Sequence, residues 1–251
     1  MKPLVGLILG MLVAGPALAA EVTLAPDAKA LIEKHLGKGV LDKPVAGNPI
    51  ANAETFFPFE EGNWTFRYIS GDGKGETETH SFTKIVKDGS EETGRYAIGP
   101  DDFWFVRRDQ DGNINVVTEQ DAKEGVVIHY SPPQPLYVAG LEPGQVETRK
   151  IQVKVYDLSH PDHLKYEGEL DLTLSYIGAY EITVPAGTYE AALINWNFEG
   201  EIGPASIKED QFRFLVEGVG PIAAVEKKAI SAFLLYHDDS KYGKVLVDGA
   251  K

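Results

Sequence analysis

Glu169-Leu170-Asp171-Leu172-Thr173-Leu174-Ser175-Tyr176 alternates polar with apolar at every step, and Ala192, Ile194, Trp196 and Phe198 resume the pattern further on. Successive side chains of a strand point to opposite faces, so a period of two describes strands with one dry and one wet face. Between the runs stands Pro185-Ala186-Gly187. Proline cannot donate to a ladder and glycine takes the turn conformation, after which Thr188-Tyr189 restarts the strand.

The same period extends in both directions. Ile151, Val153 and Val155 alternate with Lys150, Gln152, Lys154 and Tyr156; Trp64, Phe66 and Tyr68 share a face with Thr65 and Arg67 opposite; Phe212, Phe214 and Val216 make another row. Turn signals recur at Gly71-Asp72-Gly73-Lys74-Gly75, Asp111-Gly112-Asn113, Glu142-Pro143-Gly144 and Gly218-Val219-Gly220-Pro221. These runs predict roughly ten to twelve strands. With no crossover helices between them, the fold class is all-β, an antiparallel half-barrel or open barrel. Whether it closes is left open by the pattern.

One helix is predicted, Pro26 to Leu36. Asp27 is placed to cap it, Leu31, Ile32, His35 and Leu36 fall on one face, and Gly37 and Gly39 stop it. It would cover a barrel mouth or a sheet face. The stretch to residue 55, with Pro44, Gly47, Asn48 and Pro49, reads as an irregular lead-in. Residues 56–251 then form a single β domain, with Ser131-Pro132-Pro133-Gln134-Pro135 as its one candidate hinge.

Composition narrows the function. The chain of 251 residues has 24 Lys and Arg against 38 Asp and Glu, a net charge of −14, and no cysteine. Disulfide scaffolds, thiolate metal sites and a cysteine nucleophile are excluded. The acidity argues against nucleic acid, whose phosphates are met by Lys and Arg. At the N-terminus, Lys2 precedes an apolar run from Leu4 to Gly15, and Ala17 and Ala19 stand at the −3 and −1 places of a cut after Ala19. Residues 1–19 are thus predicted to be a signal peptide. The run is about twelve residues, short of the roughly 20 a spanning helix needs. The mature chain is expected in the periplasm, or secreted where there is no outer membrane, with no membrane span.

Val184-Pro185-Ala186-Gly187-Thr188-Tyr189 resembles a phrase of uncharacterised secreted bacterial β-proteins, in which a strand ends in V-P-A-G-T-aromatic. Phe214-Leu215-Val216-Glu217-Gly218-Val219-Gly220-Pro221 resembles their later G-V-G phrase, and Phe57-Pro58-Phe59-Glu60-Glu61-Gly62-Asn63-Trp64 their opening one. The chain departs from the family pattern at Pro221, where an aliphatic residue is usual, and at Tyr189, often Phe. More distantly the phrases are similar to periplasmic half-barrels that carry lipoproteins and lipids. The resemblance implies a fold and a compartment and brings no catalytic residues.

The aromatic rows are the leading candidates for a site. Trp64, Phe66 and Tyr68 on one strand and Trp196 and Phe198 on another would line a concave face for a hydrophobic or amphiphilic envelope component. Trp104, amid Phe103-Trp104-Phe105, is the candidate for an exposed contact, since three consecutive aromatics cannot share a face. On that alternative the protein is a carbohydrate- or protein-binding module. A second alternative is a metal-dependent enzyme using His160 and His163 of His160-Pro161-Asp162-His163, a segment that also reads as an ordinary turn. Asp109 to Asn113 begins like a Ca²⁺ loop, but Gln120 occupies the twelfth place where Glu is required. G-x-S-x-G and H-E-x-x-H do not occur. The expectation is a non-catalytic protein with no cofactor.

Overall fold

The structure, a computed structural model, describes residues 24–57, 59–85, 92–232 and 236–249; the expected signal peptide lies outside them. The lead-in comprises helix α1 (Pro26–Leu36), strand β1 (Leu41–Val45) and one turn of helix α2 (Ala53–Phe56). Twelve strands follow: β2 (Gly62–Gly71), β3 (Thr77–Ile85), β4 (Thr93–Ile98), β5 (Asp102–Arg108), β6 (Ile114–Asp121), β7 (Val126–Tyr137), β8 (Val146–Asp157), β9 (Leu164–Val184), β10 (Gly187–Ile202), β11 (Ala205–Val216), β12 (Gly220–Ala232) and β13 (Tyr236–Gly249).

From β2 to β13 each strand pairs antiparallel with the next. The ring closes where β13 pairs with β2, Val245 opposite Arg67 and Leu246 opposite Phe66. Closure removes the free edges that an open sheet would present. β1 adds to β9 at Leu41–Ile182 and Val45–Ala179, beyond the stretch of β9 that pairs with β8. The all-β class, the approximate strand number and the N-terminal helix are those read from the sequence. The lead-in is more regular than predicted, because β9 overshoots β8 and offers β1 an edge.

The outer face of β8–β11 carries ion pairs. Lys150 reaches Glu169 at 2.6 Å and Asp171 at 3.1 Å, and Lys208 reaches Glu199 at 2.6 Å. Among the described residues no helix is long and apolar enough to cross a membrane.

One end of the barrel is plugged by the lead-in. Ile50 exchanges backbone hydrogen bonds with the β7–β8 turn (Ile50 N–H to Leu141 O, 2.9 Å; Gly140 N–H to Ile50 O, 2.7 Å), and Thr55 O accepts from Gly218 N–H of the β11–β12 turn at 2.6 Å. These turns belong to well-separated parts of the ring, so the strap crosses the opening. Phe57 then packs on Phe82, Tyr96 and Tyr137 at 5.1–5.7 Å between ring centroids. The pairs with Phe82 and Tyr96 are edge-on and that with Tyr137 is tilted; aromatic packing of this kind adds about 0.5–1.5 kcal/mol per pair to the area buried.

α1 lies on the wall rather than over a mouth. It packs on β12, β13 and β2, burying Ile32 and Leu36. Gly243 makes the close approach possible, since a Cβ there would come within 2.5 Å of the His35 carbonyl oxygen. Its N-cap is Ala25 with no side-chain cap, so Asp27 does not cap the helix as expected; it stands in the first turn, facing the positive end of the helix dipole. Ser131–Pro135 lies inside β7. Pairing with β8 ends at Ser131–Gln152, while β7 continues along β6 through Gln134–Val116 and Pro135–Asn115. The prolines, lacking N–H, sit where β7 has left one partner.

Candidate functional site

Inward-pointing side chains of β2–β13 enclose a cavity of about 300 Å³. One side is apolar, with Ile128, Val153, Leu170, Phe198 and Ile202 from β7–β10. The other is polar. Glu209, Gln211 and Arg213 of β11 and Glu226 and Lys228 of β12 point inward, and because Glu209 is paired with Lys228 and Gln211 with Glu226, they form one patch. Asp102 of β5 and Glu119 of β6 face the same space. A second hollow of about 820 Å³ adjoins it, sharing Ile98, Asp102 and Tyr242, and is bordered by the β2–β3 and β4–β5 turns at the end opposite the plug.

A hydrogen-bonded chain runs along the wall beside the cavity. Glu78 Oε1 accepts from Lys244 Nζ at 2.6 Å and lies 2.6 Å from His80 Nε2, while His80 Nδ1 lies 2.6 Å from the Tyr96 hydroxyl. The arrangement is satisfied when His80 carries its proton on Nε2, donates to Glu78 and accepts from Tyr96 O–H. Tyr68 O–H donates to Glu78 Oε2 at 2.8 Å. Lys244 Nζ also lies 5.4–5.5 Å from the ring centres of Phe66, Tyr68 and Tyr242, a cation held by aromatic faces and one carboxylate.

Burial, with the charge of Lys244 adding, pushes His80 down to about 4, so the ring is neutral at pH 7. Burial alone would raise Glu78, but the hydrogen bond from His80 and the charge of Lys244 outweigh it and hold the carboxyl well below the usual range. The opposite holds across the cavity. Burial and the neighbouring Glu119 and Asp121 push Asp102 up to about 8. Burial and Glu226 push Glu209 up to about 7. Burial raises Glu119 too, against the Tyr130 O–H···Oε2 hydrogen bond of 2.7 Å.

Four of the six aromatic candidates line the cavity: Phe66, Trp104, Trp196 and Phe198. Trp64 lies outside its lining, 3% exposed, its indole N–H donating to Val219 O at 2.9 Å. Tyr68 borders the second hollow. The expected exposure of Trp104 is corrected by the structure. It faces inward, 6.1 Å from Tyr96, with the Arg213 guanidinium 5.2 Å from Trp104 and 5.0 Å from Trp196. The alternation of three aromatics said that one must differ, and not which. His160 and His163 occupy the exposed β8–β9 turn, where Asp157 Oδ1 accepts from the His160 and Ser159 backbone N–H groups at 3.2 and 2.8 Å. Among the described residues no three His, Cys, Asp or Glu side chains converge as a metal site. Asp109 likewise caps its own turn, accepting from Asp111 N–H, Asn113 N–H and Asn115 Nδ2.

The inward carboxyls Asp102, Glu119 and Glu209 were not among the sequence candidates. Their signal was present in the period of two: Glu209, Gln211 and Arg213 stand on the face opposite Phe212 and Phe214.

No family model and no curated protein matches the chain. Among solved structures, it is similar to a protein from Bacteroides fragilis described as exported and of YmcC-like fold, at a TM-score of 0.49 and 13% identity over 78% of this chain and 99% of that one. It is also similar to a protein from Parabacteroides distasonis described as a lipoprotein, at a TM-score of 0.35 and 15% identity over the same shares.

Proposed function

We propose that the chain is an exported, non-catalytic carrier that holds one amphiphilic envelope molecule inside the barrel. The observation that carries this reading is the two-faced cavity, with an apolar wall from β7–β10 adjoining a charged wall from β11 and β12. A dry wall takes an acyl or alkyl portion, and convergent polar groups orient a head. The volume of about 300 Å³ equals about ten waters at ~30 Å³ each, which suits a single chain rather than a two-tailed lipid. The leader-like residues 1–19 support export to the periplasm.

The test is native mass spectrometry of the chain purified from its own envelope without detergent. A retained mass of a few hundred daltons is expected, and extraction identifies it. The Ala224→Phe variant, which fills the cavity from a residue in its lining, is expected to lose that mass while keeping its barrel circular-dichroism spectrum. A clean apo mass for the unsubstituted protein would sink the reading.

A further inference from the structure

The carrier reading leaves the head group unspecified, and the chemistry of the polar wall specifies it. Four carboxyl groups, Asp102, Glu119, Glu209 and Glu226, line the cavity, and Glu78 borders the adjoining hollow. The cations facing them are Arg213, Lys228 and Lys244. Lys244 is matched by Glu78, and Arg213 is turned toward the plugged end between Trp104 and Trp196, its Nη2 donating to Gln211. Lys228 is left to face Asp102, Glu119, Glu209 and Glu226.

A second observation, independent of the acids, points to a missing occupant. Trp196 is 1% exposed and lines the same cavity, yet its indole N–H meets no acceptor; the Trp104 indole N–H and Asp102 Oδ1 are likewise buried without a partner. Buried polar atoms are costly until something meets them. Trp104 stands directly opposite Glu119 across the β5–β6 ladder, and Trp196 opposite Gln211 across β10–β11, with Glu209 beside Phe198 two pairs along on the same face. The orphaned donors and the acids therefore border one space.

We infer, resting on the carrier reading, that the occupant is a single-chain alkylammonium, its cationic head among Asp102, Glu119, Glu209 and Glu226 and its tail on the Val153–Leu170–Phe198 wall. An acceptor oxygen near the head, as in an amino alcohol, meets the indole N–H groups. A cation in this position favours the ionised form of carboxyl groups that burial and their neighbours otherwise hold protonated.

Binding is then linked to protons. Asp102 and Glu209, held up at about 8 and about 7, and Glu119 give up protons as the ammonium enters, whereas an alkylamine keeps its own proton to about pH 10. The groups facing these three are Glu78 and His80 from β3, Asp121 from β6, Tyr130 from β7, Arg213 from β11, Glu226 and Lys228 from β12, and Tyr242 and Lys244 from β13. Of these, His80 is already neutral at pH 6.

The test is calorimetric titration of the full chain with decylamine, decanol and decanoate, each below its micelle concentration. At pH 8 decylamine is expected to bind at least ~10-fold more tightly than decanol, with decanoate weakest. Its affinity is expected to rise by several-fold, up to about tenfold per unit, between pH 6 and 8, with decanol flat. In the Glu119→Gln/Glu209→Gln double variant, decylamine is expected to fall to the decanol level while decanol binding is unchanged, which also reports an intact cavity. Should the double variant lose decanol as well, Asp102→Asn takes its place with the same expectation. Equal binding of the three probes, a preference for decanoate, or a flat pH profile for decylamine overturns the cationic head and leaves the carrier standing. Binding of none of them overturns both.

Discussion

The barrel has two kinds of wall made from the same alternation in opposite senses. In β8 and β9 the inward residues Ile151, Val153, Leu170 and Leu172 are apolar, and Lys150, Gln152, Glu169 and Asp171 face out. In β11 and β12 the inward residues are Glu209, Gln211, Arg213, Glu226 and Lys228, while the opposite face carries Phe214 and Ala223, both fully buried. The difference lies in what covers the outside. Where α1 packs on β12, β13 and β2 the outer face of β12 is dry at Ala223, Phe214 is buried beside it on β11, and the inner face of β11 and β12 carries the charge. Alternation in a barrel reports which face is dry, and the dry face need not be the inner one.

The most forceful way to break this comparison is Phe214→Ala. With 0% exposure on the outward face, it is expected to cost about 3–5 kcal/mol, as for a core phenylalanine. Denaturant unfolding measures it. A loss below about 1 kcal/mol would mean that the outer face is not sealed, and the inverted wall would lose its explanation.

Next in size is Glu78→Gln. It leaves the Lys244 ammonium, 8% exposed at the side chain, without its carboxylate, and a buried pair broken on one side costs about 2–4 kcal/mol after allowance for the partial exposure of Glu78. Lys150→Ala, which removes a comparable pair from the outer face, is expected to change stability by no more than about 0.5 kcal/mol. Equal effects would show that the inner pair is as well solvated as the outer one.

These contrasts show what was legible in the sequence. Period-two rows such as Leu170–Leu172–Leu174 and Trp196–Phe198 marked strands correctly, and Pro26–Leu36 marked the helix, because each is a local pattern. Phe212 and Phe214 were legible as a dry row, yet nothing in β11 itself says that its dryness comes from outside. That depends on what the folded chain lays against the strand, which is not a local pattern. Closure is non-local in the same way, since it rests on β13 meeting β2. Trp104 was misplaced because Phe103 and Phe105 flank it with equal hydrophobicity; only the pairing of Trp104 with Tyr96 and Glu119 turns it inward.

The third prediction concerns pH and separates the walls by shape rather than size. Asp102 and Glu209 titrate at about 8 and about 7 in the native state against 3.8 and 4.5 unfolded. Between those limits the native state holds protons that the unfolded chain has released, so stability falls as pH rises from about 4.5 to about 8. His80, at about 4 against 6.5, acts in the opposite sense: the unfolded chain gains a proton that the native state refuses, and stability falls as pH drops from 6.5 to 4. The midpoint of urea unfolding is expected to decline on the alkaline side by an amount equivalent to about 1–3 kcal/mol. Val153→Ala, on the apolar wall, is expected to lower the whole curve without changing its form. An unsubstituted protein as stable at pH 8.5 as at pH 6 would refute the assignment.

The smallest expected effect is also the most informative about why the charged wall exists. Glu209→Gln keeps the shape of the side chain and an oxygen to accept from Gln211, which now bonds Glu209. At pH 5 the native carboxyl is protonated, so the exchange replaces one neutral group by another and is expected to change stability by less than about 0.5 kcal/mol. At pH 8 the carboxyl must ionise among Glu226 and Glu119, which the amide avoids; the loss of a partner for Lys228 offsets part of that gain. The variant is therefore expected to be equal or up to about 1 kcal/mol more stable at pH 8. A protein that becomes no weaker when a buried carboxyl is removed does not keep that carboxyl for folding, and the remaining use of an acid facing an enclosed cavity is to meet something that enters it. A loss above about 2 kcal/mol at pH 8 would instead make Glu209 a structural partner of Lys228.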